Sequence, residues 1–438
     1  PPYGLDLFGE AFLDFERATC SKPATDLEFH AWLHYTDALA ARHQTLPANY
    51  TYATVLRHFL HGIRAANIWV WSRHATAPAG AASFASSPTI PLESVEELLR
   101  AALDVRRLTA EIIALSRAPQ RVAILRSDAA CLQVAPALAR SQVLSPMNME
   151  LDNVTHGTLF LDTPIGYVTE RSIADGALRD YRVVLVPAVD HLDEGTLHAL
   201  LKYVEEGGHL VVTPRSFVYD EYHHPREQND LPKTVGVSVV GLLNEPTPAQ
   251  LADPDFLERA TVDPGDPRTP TVGLLSTGQP PFDRAGIPLA GAGVRLHFAD
   301  AQGEPLARFA DDRSPAIVRV ERGQGHIDCC AIPLRPQSYA QLVEAVIREE
   351  GIERPVRLRA SDGSAQPVWG VEARSCRDGD DLLVYAINLL AEPIAFDLVT
   401  EEPILAVHDC LANQPASTHV RRRGLGVALL RLKTGSGK

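Results

Sequence analysis

The chain has no apolar run that approaches the roughly 20 residues needed to cross a bilayer, and no signal peptide is visible at its start. We therefore expect no association with a membrane. Positive charge is also scarce, because 41 Lys and Arg residues face 55 Asp and Glu residues, which gives a formal net charge of -14. A nucleic-acid partner needs clustered cations to neutralise its phosphates, so none is expected here.

Cysteine is sparse too. The six cysteines show no Cys-x-x-Cys spacing, and Cys329 and Cys330 are adjacent, which is a poor geometry for a structural bridge. This usage favours a reduced, cytoplasmic protein. No set of residues has the fixed spacing of a zinc or calcium site, so neither a metal nor another cofactor is predicted. The most metal-like group lies in one loop, which is better interpreted as a solvated acidic turn: Asp220, Glu221, His223 and His224.

What the chain does have is length and apolar content. With 438 residues, of which 45% are hydrophobic, it can bury several cores and should form two to four domains. We predict an α/β protein with three segments. Residues 1–118 resemble the terminal βα units of a TIM barrel, residues 119–355 a doubly wound domain, and residues 356–438 a small antiparallel β-domain.

The first segment carries the candidate chemistry. A short buried strand ends near Glu28, a helix follows over residues 50–62, and a second strand ends at Trp71. In a TIM barrel, catalytic groups lie at the carboxyl ends of strands. A retaining glycosidase needs a carboxylate nucleophile, and an aromatic side chain beside it can support the sugar ring. The alternative is that Glu28 is a structural partner of a barrel arginine and Trp71 a barrel-core residue.

These units read as the sixth, seventh and eighth of a barrel, the sixth beginning with a strand over residues 3–8. Three parallel strands cannot close into a barrel, and their unpaired edges and inner faces would be exposed. We therefore expect the missing N-terminal portion of the barrel to come from a separate polypeptide or from a segment outside this sequence.

The middle segment alternates short apolar strands with helices, which indicates a parallel, doubly wound sheet. Asp193 is predicted to cap a helix that ends at Gly207 in a left-handed turn. This topology is shared with class I amidotransferases, which place a cysteine on a tight turn after a central strand. The corresponding turn here is residues 187–190, which contain no cysteine, so amidotransferase chemistry is not expected.

Two stretches carry a family resemblance. Lys22-Pro23 followed by Glu28-Phe29-His30 and an aromatic-rich strand resembles the end of the catalytic barrel in β-galactosidases of glycoside hydrolase family 42, and Leu161–Tyr222 resembles that family's trimerisation domain. The tail from residue 382 to residue 432 resembles the family's closing β-domain. The resemblance covers nearly the whole chain, but only the C-terminal part of a family member.

The resemblance implies a retaining β-glycoside hydrolase whose substrate is an oligosaccharide or glycoside. Glu28 would be the nucleophile, and the acid/base would lie on an earlier strand that is not in this sequence. Five residues would contact the sugar: Trp71, Arg73, His30, Trp32 and Phe84. His30 and Trp32 could equally pack the mouth of the barrel. Alanines at positions 82 and 85 replace a glutamate and a histidine that hold galactose in the family, so galactose specificity does not follow.

The resemblance also implies a homo-oligomer, most simply a trimer. The loop over residues 215–226 combines Phe217, Tyr219 and Tyr222 with charged residues, a composition typical of interfaces. The alternative is a loop folded back on its own domain. Two other functions stay open, a catalytically inert carbohydrate-binding relative and an assembly subunit of a glycosidase complex.

Overall fold

The structure, a computed structural model, describes residues 25–29, 48–68, 92–133, 146–226, 238–240, 270–292, 295–300, 303–361 and 367–435. The chain divides into two units. Unit 1 comprises Pro1–Pro119 together with Arg354–Lys438, and unit 2 is Gln120–Glu353. Because the first and last predicted segments share unit 1, the division of the chain into three domains stays a prediction.

Unit 1 begins with a strand–helix–strand motif. Strand β1 (Thr25–Phe29) leads to helix α1 (Tyr50–Leu60) and strand β2 (Ala65–Ile68), and the two strands pair in parallel. The strand predicted over residues 3–8 lies outside the described residues. Two helices follow, α2 (Leu92–Arg107) and α3 (Thr109–Ser116), where the sequence indicated one long helix.

The remainder of unit 1 is antiparallel β-structure. Two sheets have the strand orders β14–β17–β20 and β15–β16–β21–β18–β19. Their strands are β14 (Arg357–Ala360), β15 (Val371–Asp378), β16 (Asp381–Asn388), β17 (Ile394–Val399), β18 (Ile404–Asp409), β19 (Gln414–Ala416), β20 (His419–Arg422) and β21 (Val427–Thr434). Both sheets contribute to one core, since Phe396 of β17 clusters with Val384 of β16 and Leu430 of β21.

Strand β16 is buried on both faces. Its successive residues point to opposite faces, so each face packs against a different part of unit 1. Leu382, Val384 and Ala386 belong to the core shared by the two sheets. Tyr385, between them, points to the other face, and helix α3 packs against β15 and β16. The antiparallel strand predicted near residues 382–388 is therefore present.

Unit 2 is built on a nine-stranded mixed sheet with the order β4–β3–β5–β6–β13–β12–β11–β8–β9. The first five strands are parallel, and their order along the chain is that of flavodoxin-like doubly wound folds. The described strands of the unit are β3 (Val122–Leu125), β4 (Ile165–Val168), β5 (Val183–Val186), β6 (His209–Val212), β7 (Ser238–Val240), β8 (Thr271–Thr277), β9 (Ala285–Ala292), β10 (His297–Asp300), β11 (Glu304–Phe309), β12 (Pro315–Arg322) and β13 (Gly325–Cys330). Strands β3 to β6 are buried at every residue, as expected of a sheet covered on both faces.

The helices of unit 2 follow the predicted alternation. They are α4 (Asp128–Leu132), α5 (Pro146–Thr158), α6 (Glu170–Ala174), α7 (Glu194–Glu205) and α8 (Pro336–Glu349), with a 3-10 turn at Ala177–Asp180. Asp193 accepts a hydrogen bond from the Thr196 amide at 2.9 Å and so caps α7, as predicted. Gly207 has a φ of 104°, which gives this helix the left-handed ending that favours glycine. No described helix is both long enough and apolar enough to cross a membrane.

A buried ionic cluster lies between β6, β13 and β12. The two ring nitrogens of His209 contact Asp328 Oδ2 at 2.9 Å and Glu350 Oε1 at 3.0 Å, so both nitrogens carry protons. Arg319 donates two further hydrogen bonds to Asp328, at 2.7 and 2.9 Å, and also pairs with Glu349. Burial on its own lowers the pKa of His209, but the charge and hydrogen bond of Asp328 raise it to about 9.

This cluster predicts a loss of stability of unit 2 at alkaline pH. A histidine whose folded pKa is raised contributes stability that is complete below its unfolded pKa of about 6.5 and is lost as the pH rises through its folded pKa. For His209, with a folded pKa of about 9, the loss should be on the order of 3 kcal/mol. Hydrogen exchange of peptides covering β6 and β13 should therefore show a falling free energy of opening between about pH 6.5 and 9.

The matched controls are two single substitutions. His209→Gln should be less stable at neutral pH and should lose this pH dependence. His198→Gln, at an exposed histidine of α7, should retain it. A wild-type opening energy that stays constant from neutral to alkaline pH would contradict the assignment of an imidazolium at His209.

Candidate functional site

The structure describes one of the predicted site residues, Glu28, and for that residue only the backbone. Glu28 is the penultimate residue of β1, at the carboxyl end of a strand paired in parallel with β2. Phe29 is the register partner of Ile68, the last residue of β2. The backbone therefore brings the strand end that carries Glu28 beside the end of β2, from which the chain continues toward Trp71.

The predicted sugar contacts lie outside the described residues: His30, Trp32, Trp71, Arg73 and Phe84. Their roles stay predictions. The same is true of the side chain of Glu28. What the structure adds is a description of how the helix between β1 and β2 is held.

Helix α1 is capped by a side chain from α2. Asn49 precedes α1 with a φ of 72° and makes no side-chain cap of its own. Instead the carboxylate of Glu97 accepts the backbone N–H groups of Asn49, Thr51 at 3.2 Å and Tyr52 at 3.5 Å. The spacing of Ser94 and Glu97 in the sequence predicts a local capping box, and this prediction is wrong, because α2 begins at Leu92 and Glu97 serves the neighbouring helix. A carboxylate at this end also complements the helix dipole.

The other end of α1 is held by a buried carboxylate from β15. Glu372 accepts hydrogen bonds from Arg57 and His61, and from the Tyr385 hydroxyl at 2.8 Å. Arg374 lies 3.1 Å from His61 Nδ1 and can only donate, so His61 accepts there and donates to Glu372 through Nε2. Burial raises the pKa of Glu372, but the charge of Arg57 holds it well below its usual range. Sequence reasoning missed this cluster, since its partners lie more than 300 residues apart and no local pattern joins them.

Removing this carboxylate should destabilise unit 1. Glu372→Ala leaves buried guanidinium groups without their counter-charge, a change that typically costs about 3–5 kcal/mol. The four tryptophans, at positions 32, 69, 71 and 369, all fall in the sequence of unit 1, so urea unfolding followed by tryptophan fluorescence reports on it. The control Glu401→Ala removes an exposed carboxylate and should change the free energy of unfolding by less than about 0.5 kcal/mol. Equal effects of the two substitutions would refute this role.

In unit 2, the carboxyl ends of β3 and β5 form the position at which flavodoxin-like folds bind ligands. After β3, the first βα turn is closed by a side chain of the protein itself. Glu170 accepts the amide of Asp128 at 3.0 Å, the amide of Ala129 at 3.3 Å and the hydroxyl of Ser127 at 2.5 Å. The amides that could face a ligand phosphate are thus used by an internal carboxylate.

The turn after β5 lacks the chemistry of an amidotransferase. Ala188 has a φ of 44° and stands in the strained turn where a nucleophile would be expected. Cys131 lies in α4, the short helix that follows β3. Burial raises the pKa of Cys131, which disfavours the reactive thiolate.

A stacked aromatic group occupies the same edge. The rings of His191, Tyr219 and His223 stack with centroid distances of 4.5–5.0 Å. His191 Nε2 lies 2.7 Å from His223 Nδ1, and His191 Nδ1 lies 2.9 Å from Asp190 Oδ1. His223 belongs to the loop group that was interpreted from sequence as a solvated acidic turn, and within the described part of the chain no group of three or more His, Cys, Asp or Glu side chains could hold a metal ion.

The 215–226 loop is partly folded back on its own unit. Phe217, predicted as an interface anchor, is only 1% exposed, and Tyr219 belongs to the aromatic stack. Tyr222 is 70% exposed. Of the three aromatic residues, Tyr222 alone keeps the exposure that an interface residue needs in the free subunit.

The cysteines that the structure describes are free thiols: Cys131, Cys329, Cys330, Cys376 and Cys410.

Comparison with known proteins agrees with this architecture. The model of the family described as "Beta-galactosidase trimerisation domain" matches residues 172–246. None of the curated proteins matches the chain. Among solved structures, the cold-adapted β-galactosidase from Rahnella sp. R3 aligns with a TM-score of 0.70 and 16% identity, over 98% of this chain and 58% of that one. The β-galactosidase from Bacillus circulans sp. alkalophilus aligns with a TM-score of 0.68, 16% identity and the same coverage.

A family-42 exo-carrageenase from Bacteroides ovatus is also similar, with a TM-score of 0.57 and 13% identity, over 97% of this chain and 43% of that one. The chain thus spans little more than half the length of the two β-galactosidases. At these identities the structural matches show a shared fold. The resemblance to glycoside hydrolase family 42 β-galactosidases that the sequence indicated is confirmed.

Proposed function

We propose that the chain is the C-terminal part of a retaining β-glycoside hydrolase and that Glu28 is its nucleophile. The observation that carries the proposal is the position of Glu28 at the carboxyl end of β1, in a parallel pair with β2. In β/α barrels, catalytic carboxylates lie at this end of the strands. The similarity of fold to family-42 β-galactosidases supports the same reading.

The reaction would proceed by double displacement. The Glu28 carboxylate attacks the anomeric carbon while an acid/base protonates the departing glycosidic oxygen, which forms a glycosyl-enzyme ester. Water, deprotonated by the same acid/base, then attacks that carbon, releases the sugar and restores the carboxylate. The acid/base should lie about 5–5.5 Å from Glu28, on polypeptide that completes the barrel.

Two exposed leucines of α2 mark where that polypeptide would pack. Leu99 is 53% exposed and Leu103 is 69% exposed, and residues four apart lie on the same face of a helix. Helices of a β/α barrel pack against one another around the sheet. An upstream barrel helix is the occupant that this arrangement favours.

The sugar would be held by the contact residues predicted from the sequence. Trp71 would support the sugar ring, Arg73, His30 and Trp32 would line the site, and Phe84 would contact the terminal sugar. Both β-galactosidases and an exo-carrageenase have similar folds, so the fold does not fix the sugar. We propose a terminal β-linked sugar, and a cytoplasmic location on the basis of cysteine usage.

Covalent labelling tests the nucleophile. In a preparation that contains the completing barrel polypeptide, an activated 2-deoxy-2-fluoro glycoside should esterify Glu28, and peptide mass spectrometry should locate the label. Glu28→Gln should lower turnover by at least about 10³-fold, since an amide is a poor nucleophile. Its thermal unfolding should match that of the wild type.

Asp26→Asn is the matched control on the same strand and should retain labelling at Glu28. Labelling of a different residue in a fully active preparation would exclude Glu28 as the nucleophile. The chain alone, without the completing polypeptide, should hydrolyse nothing, because it lacks the acid/base.

A second function is favoured by one specific observation. The family match falls on an assembly domain rather than on catalytic residues. The chain could therefore serve as an inert carbohydrate-binding or assembly subunit of a glycosidase complex. Binding of a glycoside by calorimetry, with no fluoro-sugar labelling in the complete assembly, would support this alternative over catalysis.

We also propose that the chain forms a homo-oligomer, with a trimer as the specific expectation. Two exposed apolar side chains, Leu132 at 84% and Tyr222 at 70%, lie in segments joined by a 2.8 Å hydrogen bond from Gln133 Nε2 to the Glu221 carbonyl. Tyr222 also lies within the residues that match the trimerisation domain. Tyrosine is a frequent anchor in protein interfaces.

Light scattering tests this surface. Tyr222→Ala and Leu132→Ser should each shift the assembly toward smaller species, by at least tenfold in dissociation constant if each side chain contributes about 1.4 kcal/mol or more. Leu405→Ser, at a leucine of unit 1 that is 69% exposed, is the matched control and should leave the mass unchanged. If all three variants keep the wild-type mass, the surface formed by Leu132 and Tyr222 is not the interface.

A further inference from the structure

We propose that His191 and His223 form a pH-sensitive latch that holds the 215–226 loop on unit 2 and releases it on acidification. The latch comprises these two histidines with Asp190 and Tyr219. It lies in the part of the chain for which an assembly role was proposed above, but it stands on its own geometry.

The latch connects the loop to the turn after β5. His191 is only 3% exposed and lies in the turn after β5, which ends at Val186, whereas His223 belongs to the loop. Backbone hydrogen bonds follow the same path. The Tyr219 amide donates to the Asp190 carbonyl at 2.9 Å, and the Leu192 amide donates to the Tyr219 carbonyl at 3.2 Å. Release of the loop would therefore break the ring contacts and these backbone hydrogen bonds together.

The hydrogen bond between the two histidine rings can form only in some protonation states. The 2.7 Å contact between His191 Nε2 and His223 Nδ1 needs one proton and one lone pair. The pair can be neutral, or it can hold one extra proton on His191, which Asp190 would stabilise at 2.9 Å. When both rings are cationic, two N–H groups face each other and no acceptor remains. The closed loop thus holds one proton fewer than the open loop.

Further charged and titratable groups lie on the described parts of the loop, of the turn after β5 and of the neighbouring elements. On the loop and on the turn after β5 these are Asp190, Asp193, Arg215, Tyr219, Asp220, Glu221, Tyr222, His224 and Arg226, and on the neighbouring elements they are Arg126, Asp128, Cys131, Glu170 and Glu194. Ser127 ties Glu170 to the His191 carbonyl, at 2.5 and 2.8 Å. Asp190 contacts the His191 ring directly at 2.9 Å, so it can compensate an imidazolium on His191.

His223 has a positive φ of 68°, which asparagine also tolerates. Asparagine at this position can still donate a hydrogen bond to His191 Nε2, but it cannot take up a proton. His223→Asn is therefore the variant that removes the second protonation and leaves the turn in place.

Hydrogen-exchange mass spectrometry as a function of pH tests the latch on the full chain. Protection factors, corrected for intrinsic exchange, should fall for peptides covering residues 189–192 and 217–226 as the pH is lowered from neutral to acidic values, by up to tenfold per pH unit for one linked proton. Peptides of β5 and β6 should keep their protection and so report an intact fold. In His223→Asn the loop protection should not depend on pH.

The control is His224→Asn, which removes the other histidine of the loop. His224 is exposed and pairs with Asp220 at 3.0 Å, outside the latch, so this variant should keep the wild-type pH dependence. Limited proteolysis of the loop at the same pH values gives a second readout that should follow the same order of variants.

Two results would overturn the latch. One is a wild-type loop whose protection does not change with pH, and the other is a His223→Asn variant with the wild-type slope. The oligomeric mass over the same pH range tests the link to assembly separately. If the mass stays constant while loop protection falls, the assembly proposal at Tyr222 fails and the latch stands.

Discussion

The architecture of unit 1 depends on the compensation of one buried carboxylate. Glu372 is enclosed, and a carboxylate without partners in that position would cost several kcal/mol. Arg57 and His61 supply its partners from a sequence distance of more than 300 residues. The first and last parts of the chain must therefore meet before either is satisfied. Such long-range contacts carry a cost in loop-closure entropy that must be met before the contacts stabilise the unit.

This joint bears directly on the candidate site because α1 connects the strand of Glu28 to the strand that leads toward Trp71. Glu97 fixes the beginning of α1 and Glu372 fixes its last turn. A helix held at both ends sets the register of the two strands it connects. Catalytic groups tolerate displacements of only about half an ångström, so for the proposed nucleophile Glu28 a β-domain far along the sequence would contribute to the geometry of the site without touching the substrate.

Sequence reasoning succeeded where the determinants are local. Asp193 and Gly207 begin and end α7 through contacts within a few residues, and the all-apolar strand at 183–186 is buried as its composition predicts. It failed where the partner is remote. Glu97 has the spacing of a local cap but serves another helix, and Phe217 has the composition of an interface residue but lies inside the unit. The family resemblance was found from short motifs, whereas the roles of the sugar-contacting residues depend on positions outside the described part of the chain.

The α/β unit has a fold that often hosts catalysis, but residues of the unit itself occupy the edge of the sheet where such folds bind ligands. Glu170 fills the turn where a phosphate could bind, and Ala188 occupies the strained position of a nucleophile. The edge is occupied instead by a stack of titratable rings that fastens a loop with an exposed tyrosine. A loop that closes this edge would also present its outer face, with the exposed Tyr222, for the contact with another subunit proposed above.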